Sequence, residues 1–308
     1  MPSSNSNGFT PWSGWQRPPF LRPGARLVVI SSSGALREHQ ALEAGLQIWR
    51  DRGYRVDVGP HWQAQEGYLA GTDTQRREAL ALAWSDPDCQ GILCSRGGYG
   101  SMRLLEQWQW PATTPLKWLI GFSDVTGLLW SLATHQIMAL HGPVLTTLAQ
   151  EPEDSLEHLF ACLEGRELSP LQGRGWGGDK VTGPLIPANL TVATHLLATP
   201  LQPHLQGAIL ALEDVTEAPY RIDRLLTQWR LSGQLSQLAG IALGRFSRCQ
   251  APAGYSSWPV EQVLQDRLGD LTLSIVSDLP FGHDGPNLAL PVGAQVELDG
   301  QAGTLRWL

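Results

Sequence analysis

Three side chains in this sequence have the types and settings of a nucleophile, a base and the acid that orients the base. Ser123 lies in Gly121-Phe122-Ser123-Asp124, between an apolar run at 116–120 and a stretch where Val125, Leu128, Leu129 and Leu132 recur at helical spacing. A strand that turns into a helix without a loop puts one residue at a sharp corner. That geometry lifts a serine hydroxyl above a sheet, although Val125 stands where the usual Gly-x-Ser-x-Gly elbow has its second glycine. Glu213, in Leu212-Glu213-Asp214-Val215, ends a continuous apolar strand, where an acid is costly unless paired. His283 stands in Pro280-Phe281-Gly282-His283-Asp284-Gly285-Pro286, a rigid loop after a strand, as suits a catalytic base.

Each residue also has a plainer reading. Ser123 alone is an ordinary helix cap. Glu213 or Asp214 could cap the following helix or pair with Arg221 or Arg224. His141, in His-Gly-Pro, is a rival base; His135 and His195 fall inside expected helices, and His39, His61, His158 and His204 read as surface residues. Taken together, Ser123, Glu213 and His283 supply the three roles of nucleophilic catalysis in the chain order Ser, acid, His.

A fourth motif is Ser95-Arg96-Gly97-Gly98-Tyr99-Gly100, at the end of another apolar run. Its glycines let backbone approach a ligand, and its spacing matches neither the Walker nor the dinucleotide fingerprint. The amides of Gly98 and Asp124 are the expected oxyanion donors, the latter helped by a helix N-terminus. Arg96 can hold a substrate carboxylate through a two-pronged hydrogen bond. With Gly97 and Tyr99 it forms the expected substrate-binding group.

The elements that must position these residues read as α/β. Strands near 26–31, 54–58, 91–95, 116–121 and 137–143 alternate with helices near 36–52, 73–85, 101–106 and 125–132. Such alternation predicts a parallel sheet covered on both faces, with ligands beyond the carboxyl ends of its strands. The expected divisions are a loose leader at 1–24, a nucleophile domain at 25–150, a linker at 151–180 and a second domain at 181–308. The last has strands near 181–187, 207–215, 239–246, 272–278, 294–298 and 303–307, and helices near 190–198, 219–231 and 258–268.

Composition narrows the function classes. The 308 residues are 42% hydrophobic and 17% charged, which fits a folded soluble chain long enough for two domains. A net charge of −7 argues against nucleic acid or an anionic membrane as the main partner. Neither an export signal at the start nor a membrane-spanning segment is expected. Cys89, Cys94, Cys162 and Cys249 form neither a disulfide framework nor a zinc motif, so a reducing compartment, no metal and no cofactor are expected.

Arg-Gly-Gly-Tyr-Gly at 96–100, Ile-Gly-Phe-Ser-Asp at 120–124, His-Gly-Pro at 141–143, Leu-Glu-Asp-Val at 212–215 with Pro-Tyr-Arg at 219–221, and Gly-His at 282–283 resemble the LD-carboxypeptidases, serine peptidase family S66. Tyr68-Leu-Ala-Gly-Thr followed by Arg76 or Arg77 fits as well. The resemblance runs in order from about residue 26 to the end. It implies a Rossmann-like N-terminal domain, a barrel-like C-terminal domain and a Ser123–Glu213–His283 triad between them. It also implies cleavage of the L,D-amide before the terminal D-Ala of murein tetrapeptides, cytoplasmic peptidoglycan recycling and a homodimer. A branch of the family instead confers microcin C immunity; a non-catalytic small-molecule binder is the remaining alternative. Pro187-Ala188-Asn189-Leu190 replaces the frequent Gly-Gly-Asn-Leu, and Ser31-Ser32-Ser33 replaces a frequent Ala-Pro-Ala/Ser. Both departures bear on the substrate pocket more than on the three catalytic positions.

Overall fold

The structure, a computed structural model, describes residues 14–111 and 116–308. Its first half is built on β1 (Arg26–Ile30), β2 (Arg55–Val58), β3 (Cys89–Cys94), β4 (Trp118–Gly121) and β5 (Leu140–His141). These pair in parallel in the order β5-β4-β3-β1-β2. Runs such as Leu27-Val28-Val29-Ile30 are buried because helices cover both faces, as parallel sheets require. The helices are α1 (His39–Asp51), α2 (Asp73–Ser85), α3 (Ser101–Leu105), α4 (Thr126–Ala133), α5 (Leu145–Leu148) and α6 (Glu153–Glu164). Thr72 and Gln75 start α2 with a reciprocal capping box.

The second half folds on an eight-stranded sheet. Its strands are β6 (Leu171–Gln172), β7 (Arg174–Gly177), β8 (Val181–Asn189), β9 (Ile209–Val215), β10 (Gly240–Ser247), β11 (Ser274–Ser277), β13 (Gln295–Asp299) and β14 (Thr304–Trp307). The order is β6-β14-β13-β8-β9-β10-β11-β7, parallel from β8 to β11 and antiparallel elsewhere. The consecutive strands β6 and β7 lie at opposite ends of that order. Gly173 and Gly177 donate to Gly303 O (2.8 Å) and Gly300 O (2.9 Å), so the sheet nearly closes into a barrel. Helices α7 (Leu190–Leu196), α8 (Pro219–Leu231) and α9 (Val260–Leu268) pack outside it. The remaining strand, β12 (Leu290–Pro291), crosses back and pairs antiparallel with β5 at the edge of the first sheet.

Helix α4 joins the lobes. All eight of its residues are buried, and Trp130 donates to Pro187 O at 3.1 Å. A short helix apolar on every side belongs between layers, not on a surface. The chain at 151–180 contributes α6, whose Phe160 meets Trp49 edge-on at 5.1 Å, as well as β6 and β7. Of the leader expected at 1–24, residues 1–13 lie outside the described residues. Residues 14–24 are tied down: Gln16 brackets residues 136–138 through Gln136 O and the Met138 amide, and Leu21 is buried. No helix among the described residues is long and apolar enough to cross a membrane.

Candidate active site

Ser123 sits where β4 runs straight into α4. Gly121 ends the strand, Phe122 is extended, and Ser123 takes a φ of +62° before a single 3₁₀ turn at Ser123–Val125. A left-handed serine is strained backbone, held only when its surroundings enforce it. They do: a Cβ on Gly121 would lie 2.9 Å from Val125 Cγ1 and 3.1 Å from Cys94 Cβ. The corner is therefore an elbow even though residue 125 is valine. The Ser123 side chain makes no hydrogen bond among the described residues, so it does not cap α4.

The glycine loop folds against this corner. A Cβ on Gly97 would stand 3.1 Å from Ser123 Cβ and 3.2 Å from its Oγ. Gly97 O accepts from the Gly34 amide at 3.2 Å. In a trans peptide the carbonyl and the next N–H point opposite ways, so the Gly98 N–H is turned away from Gly34. The Asp124 carboxylate, buried, accepts from the amides of Gly100 (3.2 Å) and Ser101 (2.8 Å), fastening loop to elbow. Gly97→Ala would push its methyl into the serine. We expect kcat to fall roughly tenfold to a hundredfold, since sub-ångström to 1 Å displacements cost that much; steady-state kinetics checks it, and an unchanged kcat would show slack at the elbow.

Glu213 and Asp214, side by side at the end of β9, do different work. His283 Nδ1 lies 2.6 Å from Glu213 Oε2, with the glutamate fully buried. The other Glu213 oxygen and Asp214 Oδ1 both accept from Asn189 Nδ2, at 3.2 and 3.1 Å. Asn189 ends β8 directly opposite Glu213, and its own Oδ1 caps α7 through the Val192 amide. Asp214 accepts from the amide and hydroxyl of Thr191 in the first turn of α7, the preceding helix; neither acid caps α8, whose N-terminus has no side-chain cap, and Arg221 pairs with Glu217 instead. Burial and the neighbouring Glu213 charge push the Asp214 carboxyl up to about 6.

The His283 loop is pinned from behind. Its carbonyl accepts from Ser247 Oγ (2.5 Å) and Arg245 Nε (3.3 Å), and the Gly282 amide donates to Asn287 Oδ1 at 2.9 Å. The imidazole lies against the Phe122 ring, centroids 4.6 Å apart, so it sits beside the serine's own neighbour. No hydrogen bond joins Ser123 to His283; such bonds commonly tighten only around substrate. Glu213 on Nδ1 leaves Nε2 as the nitrogen that could accept a proton. Burial alone would lower the His283 pKa, but the Glu213 hydrogen bond and charge outweigh it and raise it. Were His283 the base, it would have to be neutral, and the acid limb of kcat/KM would lie above pH 6.5, the ordinary histidine value. The same ion pair adds stability in full below that value and loses it as pH rises through the folded-state pKa. A pH–rate profile with its acid limb at or below 6.5 would contradict this pairing.

The rival base lies behind the site, its ring meeting Phe122 edge-on at 6.0 Å. His141 is fully buried, neither ring nitrogen has a partner, and burial pulls its pKa down to about 4. His158, read as a surface residue, is instead buried, and its Nε2 lies 3.0 Å from Ala289 O. Arg96 is not a free fork: its Nη1 donates to Ala35 O at 2.6 Å and stands 3.4 Å from Glu38. It lines a cavity of about 440 Å³ with Arg37, Tyr68, Gly98 and Tyr99. Sequence reasoning did not assign roles to Asn189, Phe122 or Arg245. A polar residue ending the apolar strand before Leu190 was the available signal for Asn189. All four cysteines are buried and free, and no group of three His, Cys, Asp or Glu among the described residues could hold a metal.

Residues 27–142 match the LD-carboxypeptidase N-terminal domain and 182–298 the LD-carboxypeptidase C-terminal domain. A Synechocystis sp. protein named "Putative carboxypeptidase slr1534" is 61% identical, covering 94% of this chain and 96% of its own. The murein tetrapeptide carboxypeptidase of Pseudomonas aeruginosa is 36% identical over 92% of this chain and 95% of its own. Among solved structures, muramoyltetrapeptide carboxypeptidase from Oxalobacter formigenes superposes with a TM-score of 0.81 at 28% identity, covering 91% and 97% of the two chains. With both domain matches in order over most of its length, the chain belongs to the LD-carboxypeptidase family, S66, and is a serine-type carboxypeptidase.

Proposed function

We propose that this enzyme removes the C-terminal D-Ala from murein tetrapeptides, with Ser123 as nucleophile, His283 as general base and Glu213 as the acid that orients it. The observation that carries the reading is the 2.6 Å bond from His283 to a fully buried Glu213, on a loop packed against the residue before a strained serine. A buried carboxylate held this way fixes the imidazole tautomer and stabilises the imidazolium that forms.

The steps follow from the groups present. Ser123 Oγ attacks the carbonyl carbon of the L,D-amide while His283 Nε2 takes its proton. The amides of Gly98 and Asp124 hold the oxyanion, each donor worth on the order of 10²–10³ in rate. His283 then gives its proton to the departing amine of D-Ala. Water, activated by the same imidazole, cleaves the acyl-serine. Arg96, with donors beyond those used on Ala35 and Glu38, receives the free carboxylate that makes the enzyme an exopeptidase, while Gly97 and Tyr99 shape the adjoining wall. Two relatives named for murein and muramoyl tetrapeptides support the substrate. The reading includes a cytoplasmic homodimer acting in peptidoglycan recycling; four buried, unpaired cysteines suit a reducing compartment.

Incubating the protein with a disaccharide-free murein tetrapeptide and following D-Ala by mass spectrometry tests it. Release of D-Ala with a tripeptide co-product is expected. No release, with hydrolysis of an aminoacyl sulfamoyl adenosine instead, would assign the site to the immunity branch.

A further inference from the structure

Arg76 carries a charge in the core and is not among the groups the reaction uses. It is 1% exposed, and its Nη1 donates to two carbonyls at once, Ser32 O (2.5 Å) and Gly100 O (2.8 Å). Its Nη2 pairs with Asp73, which also takes the Arg103 guanidinium of α3 at 2.7 Å. Ser32 belongs to the loop after β1 and Gly100 to the loop after β3. One guanidinium thus spans the two loops that frame the Gly98 amide.

The other face of the same backbone meets Asp124. The Gly100–Ser101 peptide puts its oxygen on Arg76 and its N–H on the Asp124 carboxylate, at 2.8 Å. A single peptide plane is clamped between a buried cation and a buried anion, and the anion is the residue that follows Ser123. Gly100 has a φ of +125°, and a Cβ there would come within 2.7 Å of Arg76 Nη1 and 2.6 Å of Leu69 Cδ2. Only glycine leaves room for the clamp.

The geometry points to Arg76 as a positioning residue for the oxyanion hole: clamped with Asp124 across the Gly100–Ser101 peptide, it sets the register of the Gly98 amide against the Ser123 corner. It never touches substrate. The inference rests on the roles given above to Ser123 and Gly98, and it makes a demand that those roles do not. Buried ionic groups of this kind often fix one arrangement more than they add stability.

Two readouts on Arg76→Lys test it. Lysine keeps a charge but has one nitrogen where arginine uses two, Nη1 on both carbonyls and Nη2 on Asp73, so it cannot hold all three in place. Amide hydrogen exchange at residues 97–101, which needs no substrate, is expected to quicken by about tenfold or more relative to the core, since local opening is a separate equilibrium from global unfolding. In D-Ala release, kcat is expected to fall on the order of 10² with KM within about threefold, the signature of an interaction that acts in the transition state. Gly100→Ala, which forces the clamp apart from the loop side, is expected to reproduce both changes if the lysine variant fails to fold. A folded variant with unchanged exchange in the loop, or a loss that falls in KM alone, would overturn the assignment. Accelerated exchange with no D-Ala release by the wild type would leave the clamp standing and strike only the substrate reading.

Discussion

Ser123→Ala is expected to reduce D-Ala release to background, a loss on the order of 10⁶ in kcat, because removing a serine nucleophile costs about as much as removing the whole triad. Substrate should still bind, since the cavity beside Arg96 and Tyr99 does not depend on the hydroxyl. The backbone makes a second expectation possible. Ser123 holds a φ of +62°, which costs a non-glycine residue of order 1–3 kcal/mol. Ser123→Gly should therefore abolish turnover and at the same time stabilise the fold by ~1 kcal/mol, roughly 2 °C in melting temperature for a chain of this size. A serine kept only as a helix cap predicts the reverse, because losing a cap lowers stability. Calorimetry on the two variants, with turnover measured alongside, separates the readings. An alanine variant that still turns over would remove Ser123 from the chemistry, and a glycine variant that melts lower than wild type would mean that the left-handed backbone at 123 stores no strain.

That test is available because the corner was legible in the sequence. An apolar run, then Gly-x-Ser-Asp, then helical spacing leaves no residues for a loop. The parallel sheet was legible for the same reason: continuous buried runs alternate with amphipathic helices. Helix α2 begins at the Thr72 cap, and α8 spans Pro219–Leu231, starting at a proline in its first turn and matching the expected 219–231. Other features depend on residues far apart in the chain, which periodicity cannot register. The pairing of β12 with β5 joins residue 290 to residue 141 over two paired positions. Strands β6 and β7 are two and four residues long, too short for an alternation to show, yet they bring the ends of the second sheet together. The division of labour between Glu213 and Asp214 was also illegible. Which acid faces the barrel's catalytic end and which turns to Thr191 depends on strand register, and that is set by β8 and β10 on either side. The double use of Asn189 has the same origin, since it becomes a bridge only when β8 places it opposite Glu213.

Glu213→Gln follows from that bridge and should be nearly as damaging as loss of the serine. The substitution keeps shape and volume, so the protein should fold. It changes which atoms can donate. Glutamine must present its amide nitrogen either to Asn189 or to His283. Facing Asn189, it would set donor against donor, because Asn189 Nδ2 already serves Glu213 and Asp214. Asn189 cannot turn over to relieve this without giving up the Val192 cap and its bond to Asp214. The glutamine nitrogen is therefore driven toward His283 Nδ1, which must then accept a hydrogen bond instead of donating one. The imidazole proton moves to Nε2, the nitrogen that should receive the proton of Ser123. A base in the wrong tautomer costs on the order of 10⁴ in kcat even when the geometry is intact. Loss of the Glu213 charge should also lower the His283 pKa, so the residual activity should keep its acid limb at lower pH than wild type. Asn189→Asp would set a third carboxylate against Glu213 and Asp214 and is the poorer probe. Activity of Glu213→Gln within tenfold of wild type would mean that the buried carboxylate does not direct the imidazole, and the base would have to be sought elsewhere.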